Sequence, residues 1–190
     1  MLGCFYLQPS KFTIMKILVF SDFHGNLSAY ETAMNIVKSE KPNAVALCGD
    51  LFGGFSSSSS KVAQAVQMFD APLYAVRGNN DRRYDEALLP FPLQDYEVTY
   101  KFNRTILFTH GHRYNSWKLP PILGQGDALV YGHTHVSSLR KLPNGIFALN
   151  VGSIALPRDG APSYLVLDDD GATSKMTDGN VIYFLPWNKP

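Results

Sequence analysis

The sequence has few cysteines, no long apolar run and no excess of charge of one sign. Two cysteines, Cys4 and Cys48, are too few for a disulfide framework, which favours a reducing, cytoplasmic compartment. No apolar run approaches the roughly 18–20 residues of a membrane span, so we expect no membrane association. The 17 basic and 16 acidic residues give a net charge of +1 without a basic tract, and duplex nucleic acid is therefore not an expected partner.

The length of 190 residues and the hydrophobic content of 45% predict one globular domain. We expect this domain to span residues 15–190. Residues 1–14 lack the early positive charge and continuous apolar stretch of a secretory signal, and we interpret them as an extension that is disordered or not native. Cys48 lies in an apolar run and is typical of a small buried hydrophobic residue.

Apolar periodicity predicts alternating strands and helices in the first half of the chain and hairpins in the second. We place Ser28 and Glu31 in a capping box at the start of the first helix. Hairpin turns are expected at residues 103–104 and at residues 144–145, where Asn-Gly is a strong turn signal. The pattern favours an α/β fold, a sandwich with a mixed sheet.

Polar residues that can bind metal follow five of the apolar runs. All five histidines lie in three short segments, Asp22-Phe23-His24-Gly25-Asn26, His110-Gly111-His112 and Gly132-His133-Thr134-His135. Two further segments, Gly49-Asp50 and Gly78-Asn79-Asn80-Asp81, also begin where an apolar run ends. Ligands of open α/β sheets bind beyond the carboxyl ends of strands, so these five strand ends are expected to converge on one place.

The residue types at these strand ends are those that bind divalent cations. Aspartate, neutral histidine and the asparagine carbonyl oxygen are suitable ligands. The Asp22-x-His24 and His133-x-His135 spacings would put two donors on the same side of an extended stretch. Seven donors exceed the need of one tetrahedral ion and suit two ions that share a carboxylate. The seven candidate metal ligands are Asp22, His24, Asp50, Asn79, His110, His133 and His135.

Each of these motifs alone has an ordinary structural explanation. A single D-x-H or H-x-H is more often a surface or core feature, G-N-N-D is more often a turn, and Asp50 could cap a loop. Five such explanations would have to hold independently, and a cluster of unpaired titratable groups is costly to bury. The metal centre is therefore the preferred interpretation.

The ordered series D-F-H-G-N, G-D-L, G-N-N-D, T-H-G-H and G-H-T-H resembles the calcineurin-like metallophosphoesterases, and within them the YfcE-type phosphodiesterases. The similarity runs from about Met15 to Asp168 and includes Asn150-Val151-Gly152-Ser153. It implies a two-sheet sandwich with helices on its faces. It also implies one metal bound by Asp22, His24, Asp50 and His135, and a second bound by Asp50, Asn79, His110 and His133, with Asp50 bridging the two.

The resemblance further implies hydrolysis of small phosphodiesters by in-line attack of a hydroxide held between two divalent ions. Manganese is the first expectation for both ions, with zinc, iron, nickel, cobalt and magnesium as alternatives. Family members often pair, so a homodimer is considered. A phosphomonoesterase, and a non-catalytic protein-interaction scaffold like the retromer subunit that resembles this family, are the alternative functions.

Four further residues are candidates at the site. Many family members have histidine at the position of Asn80, where it helps to protonate the leaving group, and an amide cannot supply that proton. Asp81 is grouped with Asn80 as catalytic, either orienting the loop or a ligand or serving as a turn aspartate. Asn26 could bind a phosphate oxygen or lead into the helix. His112 could contact the substrate, replace the missing acid or remain at the rim.

Overall fold

A computed structural model describes residues 15–53 and 58–187 of the chain. The predicted extension of residues 1–14 lies outside the described residues. Three helices are present in the described part: α1 (Leu27–Glu40), α2 (Ser59–Gln67) and α3 (Arg83–Glu86). The strands are β1 (Ile17–Phe20), β2 (Ala44–Leu47), β3 (Leu73–Ala75), β4 (Tyr96–Lys101), β5 (Arg104–Thr109), β6 (Ala128–Tyr131), β7 (Ser137–Lys141), β8 (Phe147–Val151), β9 (Ser163–Leu167), β10 (Gly171–Met176) and β11 (Val181–Pro186).

The strands form two mixed sheets, which confirms the predicted sandwich. The first sheet has the order β11-β10-β9-β1-β2-β3, and β1, β2 and β3 are parallel in it. The second has the order β4-β5-β6-β8-β7, and β5, β6 and β8 are parallel. Parallel strands end at the same edge of a sheet, so each sheet delivers several strand ends to one edge.

The two sheets bury a core between them, and the helices bury a second core against the first sheet. Val19 of β1 packs with Phe108 and Val130 of the second sheet. On the other face of β1, Leu18 and Phe20 pack against α1 and α2. Because β1 is buried on both faces, its side chains are apolar throughout, as expected for a central strand. Cys48, predicted to be buried, lies in the core between the sheets as a free thiol.

The predicted capping box at the start of α1 is wrong. Asn26 is the N-cap residue, and its Oδ1 accepts hydrogen bonds from the backbone N–H groups of Ser28 and Ala29 at 3.1 and 3.2 Å. Ser28 is already inside the first turn. Asparagine is as good an N-cap as serine, and the S-x-x-E spacing that suggested the box is present without being used.

The predicted turn between β4 and β5 is shifted by one residue. Lys101 pairs with Arg104, so the two turn residues are Phe102 and Asn103 rather than residues 103–104. Both have positive φ angles, 54° and 55°, as a type I′ turn requires. The second predicted hairpin, β7–β8 around residues 144–145, is confirmed. No helix in the described part of the chain is both long and apolar enough to cross a bilayer.

Candidate metal centre

The predicted strand ends do meet at one place. Asp22 follows β1, Asp50 follows β2 and Asn79 follows β3, while His110 follows β5 and His133 follows β6. The first three residues come from the first sheet and the histidines from the second. The site therefore lies at the carboxyl-terminal edge of the sandwich, between the two sheets, where the sequence placed it.

One group of donors combines Asp22, His24 and His135, which are all buried. The Nε2 atoms of His24 and His135 are 3.2 Å apart. Asp22 Oδ1 lies 3.2 Å from His135 Nε2 and 3.8 Å from His24 Nε2. Two ring nitrogens and a carboxylate oxygen thus point at a common centre.

A second group lies beside the first and contains Asp50, Asn79, His110 and His133. His110 Nε2 is 3.0 Å from Asn79 Oδ1 and 3.2 Å from His133 Nδ1. It is also 3.3 Å from Asp50 Oδ2. Asn79 and His133 are exposed, so this group faces the solvent side of the site.

Asp50 lies between the two groups. Its Oδ2 atom is 3.3 Å from His110 Nε2 in the second group and 3.6 Å from His24 Nε2 in the first. All seven sequence-predicted donors are therefore connected through short contacts, and the Asp50 carboxylate is within reach of both groups. The Asp22 carboxylate also lies within 4.8 Å of ligand atoms of Asp50 and His110.

The local backbone that presents the donors differs from the prediction. Asp22, His24, Asp50, His133 and His135 all have positive φ angles, between 49° and 71°. These residues lie on tight left-handed turns and not on extended stretches. The predicted same-side placement is wrong for His133 and His135, whereas Asp22 and His24 do lie in one donor group. His133 and His135 consequently separate, the former toward His110 and the latter toward His24. Left-handed backbone at non-glycine residues is strained and is concentrated at functional sites.

Two glycines allow the strand ends to approach each other. A Cβ atom on Gly78 would lie 2.1 Å from both the backbone nitrogen and Oδ1 of Asp50. A Cβ atom on Gly132 would lie 1.9 Å from Ser21 Oγ and 2.4 Å from Asp22 Oδ2. No other residue type fits these positions without moving a predicted ligand.

Backbone carbonyls fix two of the imidazole rings. His110 Nδ1 is 2.8 Å from the carbonyl oxygen of Cys48, and His135 Nδ1 is 2.7 Å from that of Leu156. A carbonyl oxygen can only accept, so each Nδ1 donates and each neutral ring directs the Nε2 lone pair into the site. Histidine ligands of metal ions are held in this way by their second nitrogen.

The electrostatics of the site favour a cation. Burial alone would lower the pKa of His110, but the hydrogen bond that the protonated ring would donate to Asp50 and the charge of Asp22 raise it above its ordinary value. The interaction with the Asp22 carboxylate likewise raises the pKa of His135. Burial opposes ionisation of Asp50, yet His110 and Asn80 hold the pKa of that carboxyl below its usual range. The site therefore stabilises the anionic form of Asp50, whose charge attracts a cation.

An unpartnered oxygen supports the same conclusion. Asp22 Oδ1 is fully buried and accepts no hydrogen bond within the described residues, whereas Oδ2 accepts one from the backbone N–H of His133 at 2.9 Å. A buried carboxylate oxygen without a hydrogen bond is costly unless a bound cation takes the place of the missing donor. The donor set and this oxygen fit a divalent metal ion.

Comparison with known proteins agrees with this geometry. Residues 15–171 match the calcineurin-like phosphoesterase superfamily domain, which is most of the chain. The chain belongs to the calcineurin-like phosphoesterase superfamily. It is 32% identical over 166 residues to phosphodiesterase YfcE of Escherichia coli K12, which covers 83% of this chain and 89% of that protein. The expectation of a metal-dependent phosphoric ester hydrolase is therefore confirmed.

Three further comparisons concern a solved structure of YfcE, a more distant relative and a protein that shares the fold. The solved structure of the E. coli phosphoesterase YfcE aligns with a TM-score of 0.83 and 31% identity, covering 92% of this chain and all of that one. Phosphodiesterase MJ0936 of Methanocaldococcus jannaschii is 25% identical over 163 residues, or 82% of this chain and 94% of that protein. Vps29 of Entamoeba histolytica shares the fold, with a TM-score of 0.61 and 19% identity over 92% of this chain.

The two residues predicted as catalytic in this phosphoesterase, Asn80 and Asp81, form hydrogen bonds with neighbouring protein groups. Asn80 donates to both oxygens of Asp50, from its backbone N–H at 2.8 Å and from Nδ2 at 2.7 Å. Asp81 is buried, and its two oxygens accept hydrogen bonds from the backbone of Phe52 and Gly78, each at 2.8 Å. Burial raises the pKa of Asp81 to about 6 despite these bonds. Asp81 thus holds two loops together, one of the roles predicted for it.

The two residues predicted to bind substrate are placed differently from each other. Asn26 uses its carbonyl oxygen as the N-cap of α1, which supports its interpretation as a helix-leading residue. His112 lies beside the second donor group, with its ring centre 5.5 Å from that of His110 and 6.2 Å from that of His133. Its Nε2 accepts a hydrogen bond from Arg113 Nε at 3.3 Å, and its Nδ1 is buried and has no hydrogen-bond partner among the residues that the structure describes.

Two supporting residues were not predicted. Asn150 donates from Nδ2 to the Gly132 carbonyl and to Thr134 Oγ1, at 3.0 and 2.9 Å, and so fixes the loop that carries two histidine donors. Ser153 donates from Oγ to the Asp22 carbonyl at 2.9 Å. Both lie directly at or after the end of β8, so they form a sixth polar strand end. The same rule that found the other five could have found this one.

Proposed function

We propose that this chain is a phosphodiesterase that binds two divalent ions and hydrolyses small phosphodiesters. The observation that carries the proposal is the position of Asp50 Oδ2, which lies within 3.3–3.6 Å of one histidine from each donor group. In this arrangement Asp22, His24 and His135 would hold one ion, Asn79, His110 and His133 would hold the other, and Asp50 would contribute to both.

When bound, two such ions activate water as a nucleophile near neutral pH for in-line attack on phosphorus and neutralise charge on the phosphate oxygens. The protein supplies their positions. The Cys48 and Leu156 carbonyls keep the His110 and His135 rings in one tautomer, and the lack of a side chain at Gly78 and Gly132 lets the neighbouring loops come close to Asp50 and Asp22. Asn79 and His133 form the exposed edge, where a substrate reaches the centre.

Residue 80 cannot supply a proton to the leaving group. The Asn80 amide is engaged with Asp50 and carries no ionisable proton. General acid catalysis contributes roughly 10²- to 10⁴-fold, so diesters with poor leaving groups should react slowly and aryl diesters faster. The substrate class proposed is accordingly a small phosphodiester, in line with the relatives YfcE and MJ0936, which are named phosphodiesterases.

Several finer points belong to the same proposal. Manganese is proposed as the resident ion, because histidine, carboxylate and amide ligands suit it, with zinc, iron, nickel, cobalt and magnesium as competitors. A small-molecule ester is the proposed partner, without duplex nucleic acid or membrane, and a homodimer is the proposed assembly. A cytoplasmic location fits the unpaired, buried Cys48.

The proposal is tested with an aryl phosphodiester and the matching aryl phosphomonoester. Metal-loaded wild-type protein should prefer the diester, and Asp50→Ala should lose at least about 10³-fold in activity because one carboxylate serves both ions. Asp70→Ala, which removes an exposed carboxylate, is the matched control and should keep its activity. A strong preference for the monoester would instead support a phosphomonoesterase. If the wild-type protein binds no metal and has no activity after reconstitution, the scaffold alternative is supported.

A further inference from the structure

A cavity of about 310 Å³ lies next to the metal centre on the outer side of the second sheet. One wall is His133, a donor of the exposed edge of the centre. The other walls come from the loop after β5, from β7, and from single residues of β6 and β8. A group attached to a phosphate at the metal centre can therefore enter this cavity by passing over His133. The volume is at the lower end of the range for small-molecule pockets and suits a single ring system with its linker.

Trp117 forms part of this cavity, and its side chain is 90% exposed. Its backbone is fixed: Asn115 Oδ1 accepts hydrogen bonds from the N–H groups of Trp117 and Lys118 at 2.9 and 3.2 Å. Asn115 Nδ2 donates to the carbonyl of Gly111, the residue after His110, at 3.0 Å. The loop thus links an open indole face to a metal-centre histidine through a short series of hydrogen bonds.

The cavity combines this indole with a second apolar side chain and a free cation. The second apolar side chain is Val136, which is 40% exposed and lies between His135 and the start of β7. Arg140 also lines the cavity, and its guanidinium makes no hydrogen bond or ion pair within the described residues. An aromatic face beside an unpaired guanidinium recognises a flat ring that carries hydrogen-bond acceptors.

Resting on the proposed function, we infer that this cavity is the binding site for an ester group of the phosphodiester, and that this group is a nucleoside. The base stacks on Trp117, Arg140 donates to its acceptor atoms, and the phosphate reaches the metal centre beside His133. A plain aryl ester would use the indole but not the guanidinium. Trp117 and Arg140 are therefore specificity residues, and neither acts on the reacting phosphate.

Three substrates with the same p-nitrophenolate leaving group test this inference. Their second ester group is thymidine (linked through its 5′ oxygen), phenyl or methyl. Trp117→Ala should lower kcat/KM at least about fivefold for the thymidine and phenyl esters, the size of one lost stacking contact, and change the methyl ester less than twofold. Arg140→Gln should lower kcat/KM for the thymidine ester alone. Trp117→Phe should retain most of the preference.

Tyr100→Ala is the matched control, because Tyr100 is a 68% exposed aromatic side chain that pairs with Thr105 at the far end of β5. Equal effects of Trp117→Ala on all three substrates, or none, would overturn the inference. If Trp117→Ala lowers kcat/KM only for the phenyl and thymidine esters but Arg140→Gln changes kcat/KM for neither, the nucleoside assignment is overturned.

A binding measurement separates this inference from the proposed function. Thymidine 5′-monophosphate should quench the exposed Trp117 emission saturably in wild-type protein and leave Trp117→Ala unchanged, since the other tryptophan, Trp187, is buried. Quenching without hydrolysis of any ester would refute the proposed function and keep the nucleoside site. Hydrolysis of all three esters without quenching would refute the nucleoside site and keep the proposed function.

Discussion

At the scale of single residues, Asp81 illustrates how the site depends on side chains that bind no metal. Its buried carboxylate joins the loop after β2, through the N–H of Phe52, to the loop after β3, through the N–H of Gly78. These loops carry Asp50 and Asn79. This connection therefore helps to keep the two donors in position, together with the hydrogen bonds that Asn80 donates to Asp50.

Replacing Asp81 should weaken both the fold and the centre. Asp81→Ala leaves two buried N–H groups without acceptors, so we expect the free energy of unfolding to fall by about 1–3 kcal/mol. Urea denaturation of the metal-free protein measures this change, and Asp70→Ala should stay within about 0.5 kcal/mol of wild type. An unaltered denaturation midpoint for Asp81→Ala would contradict the role assigned to it.

The glycines provide a second test at this scale. A methyl group on Gly78 would overlap Asp50, so Gly78→Ala should lower stability by about 1–3 kcal/mol and weaken metal binding. Gly124 has only Asp127 Oδ2 near the corresponding position, at 3.8 Å, and Gly124→Ala is the control. Isothermal titration with Mn²⁺ compares the two variants. Equal affinity in both would show that the close approach at Gly78 is unimportant.

At the scale of elements, α1 begins immediately after the first metal-binding segment. Asn26 ends that segment, two residues after His24, and also caps the helix. The N-cap thereby fixes where the chain turns away from the centre. A lost cap is expected to affect the local turn as well as the helix.

The two candidate caps can be separated by substitution. Asn26→Ala should lower the free energy of unfolding by about 1 kcal/mol because it removes the acceptor of two backbone N–H groups. Ser28→Ala should change it by less than about 0.5 kcal/mol, since Ser28 is exposed within the first turn. Thermal denaturation measures both. A larger loss of stability in Ser28→Ala than in Asn26→Ala would support the capping box instead.

The elements also indicate what could be predicted from the sequence. Buried strands such as β1 and β2 are unbroken apolar runs followed by glycine and polar residues, so both the strands and their polar ends were recognisable. The left-handed turns at Asp22 and His133 were not, because non-glycine residues do not signal positive φ. Pairing of His133 with His110, and of His135 with His24, depends on how two sheets pack, which no local pattern contains.

At the scale of the whole molecule, Glu40 connects distant parts of the chain. It lies at the end of α1, and its carboxylate bonds to Lys16 before β1 at 2.6 Å and to Lys175 of β10 at 2.8 Å. Burial alone would raise the pKa of Glu40, but the two lysines lower it below its ordinary value of 4.5. The ionised carboxylate is therefore favoured more in the folded than in the unfolded chain.

This difference predicts how stability depends on pH. A lowered pKa in the fold contributes stability above about pH 4.5, and the contribution disappears as the pH falls through the folded value. Glu40→Gln should therefore be less stable than wild type by about 1 kcal/mol at pH 7, and the gap should shrink in acid. Urea denaturation at pH 7 and pH 3 measures the gap. A gap that is constant or larger at pH 3 would contradict this assignment.

The central claim for the whole molecule is that seven side chains from two sheets bind a pair of divalent ions. Elemental analysis of purified protein, reconstituted with Mn²⁺ and freed of excess metal, tests it most directly. The account predicts two ions per chain in the wild type and fewer than one in Asp50→Ala, because Asp50 lies between both donor groups. A wild-type protein that holds one ion or none after reconstitution would contradict it.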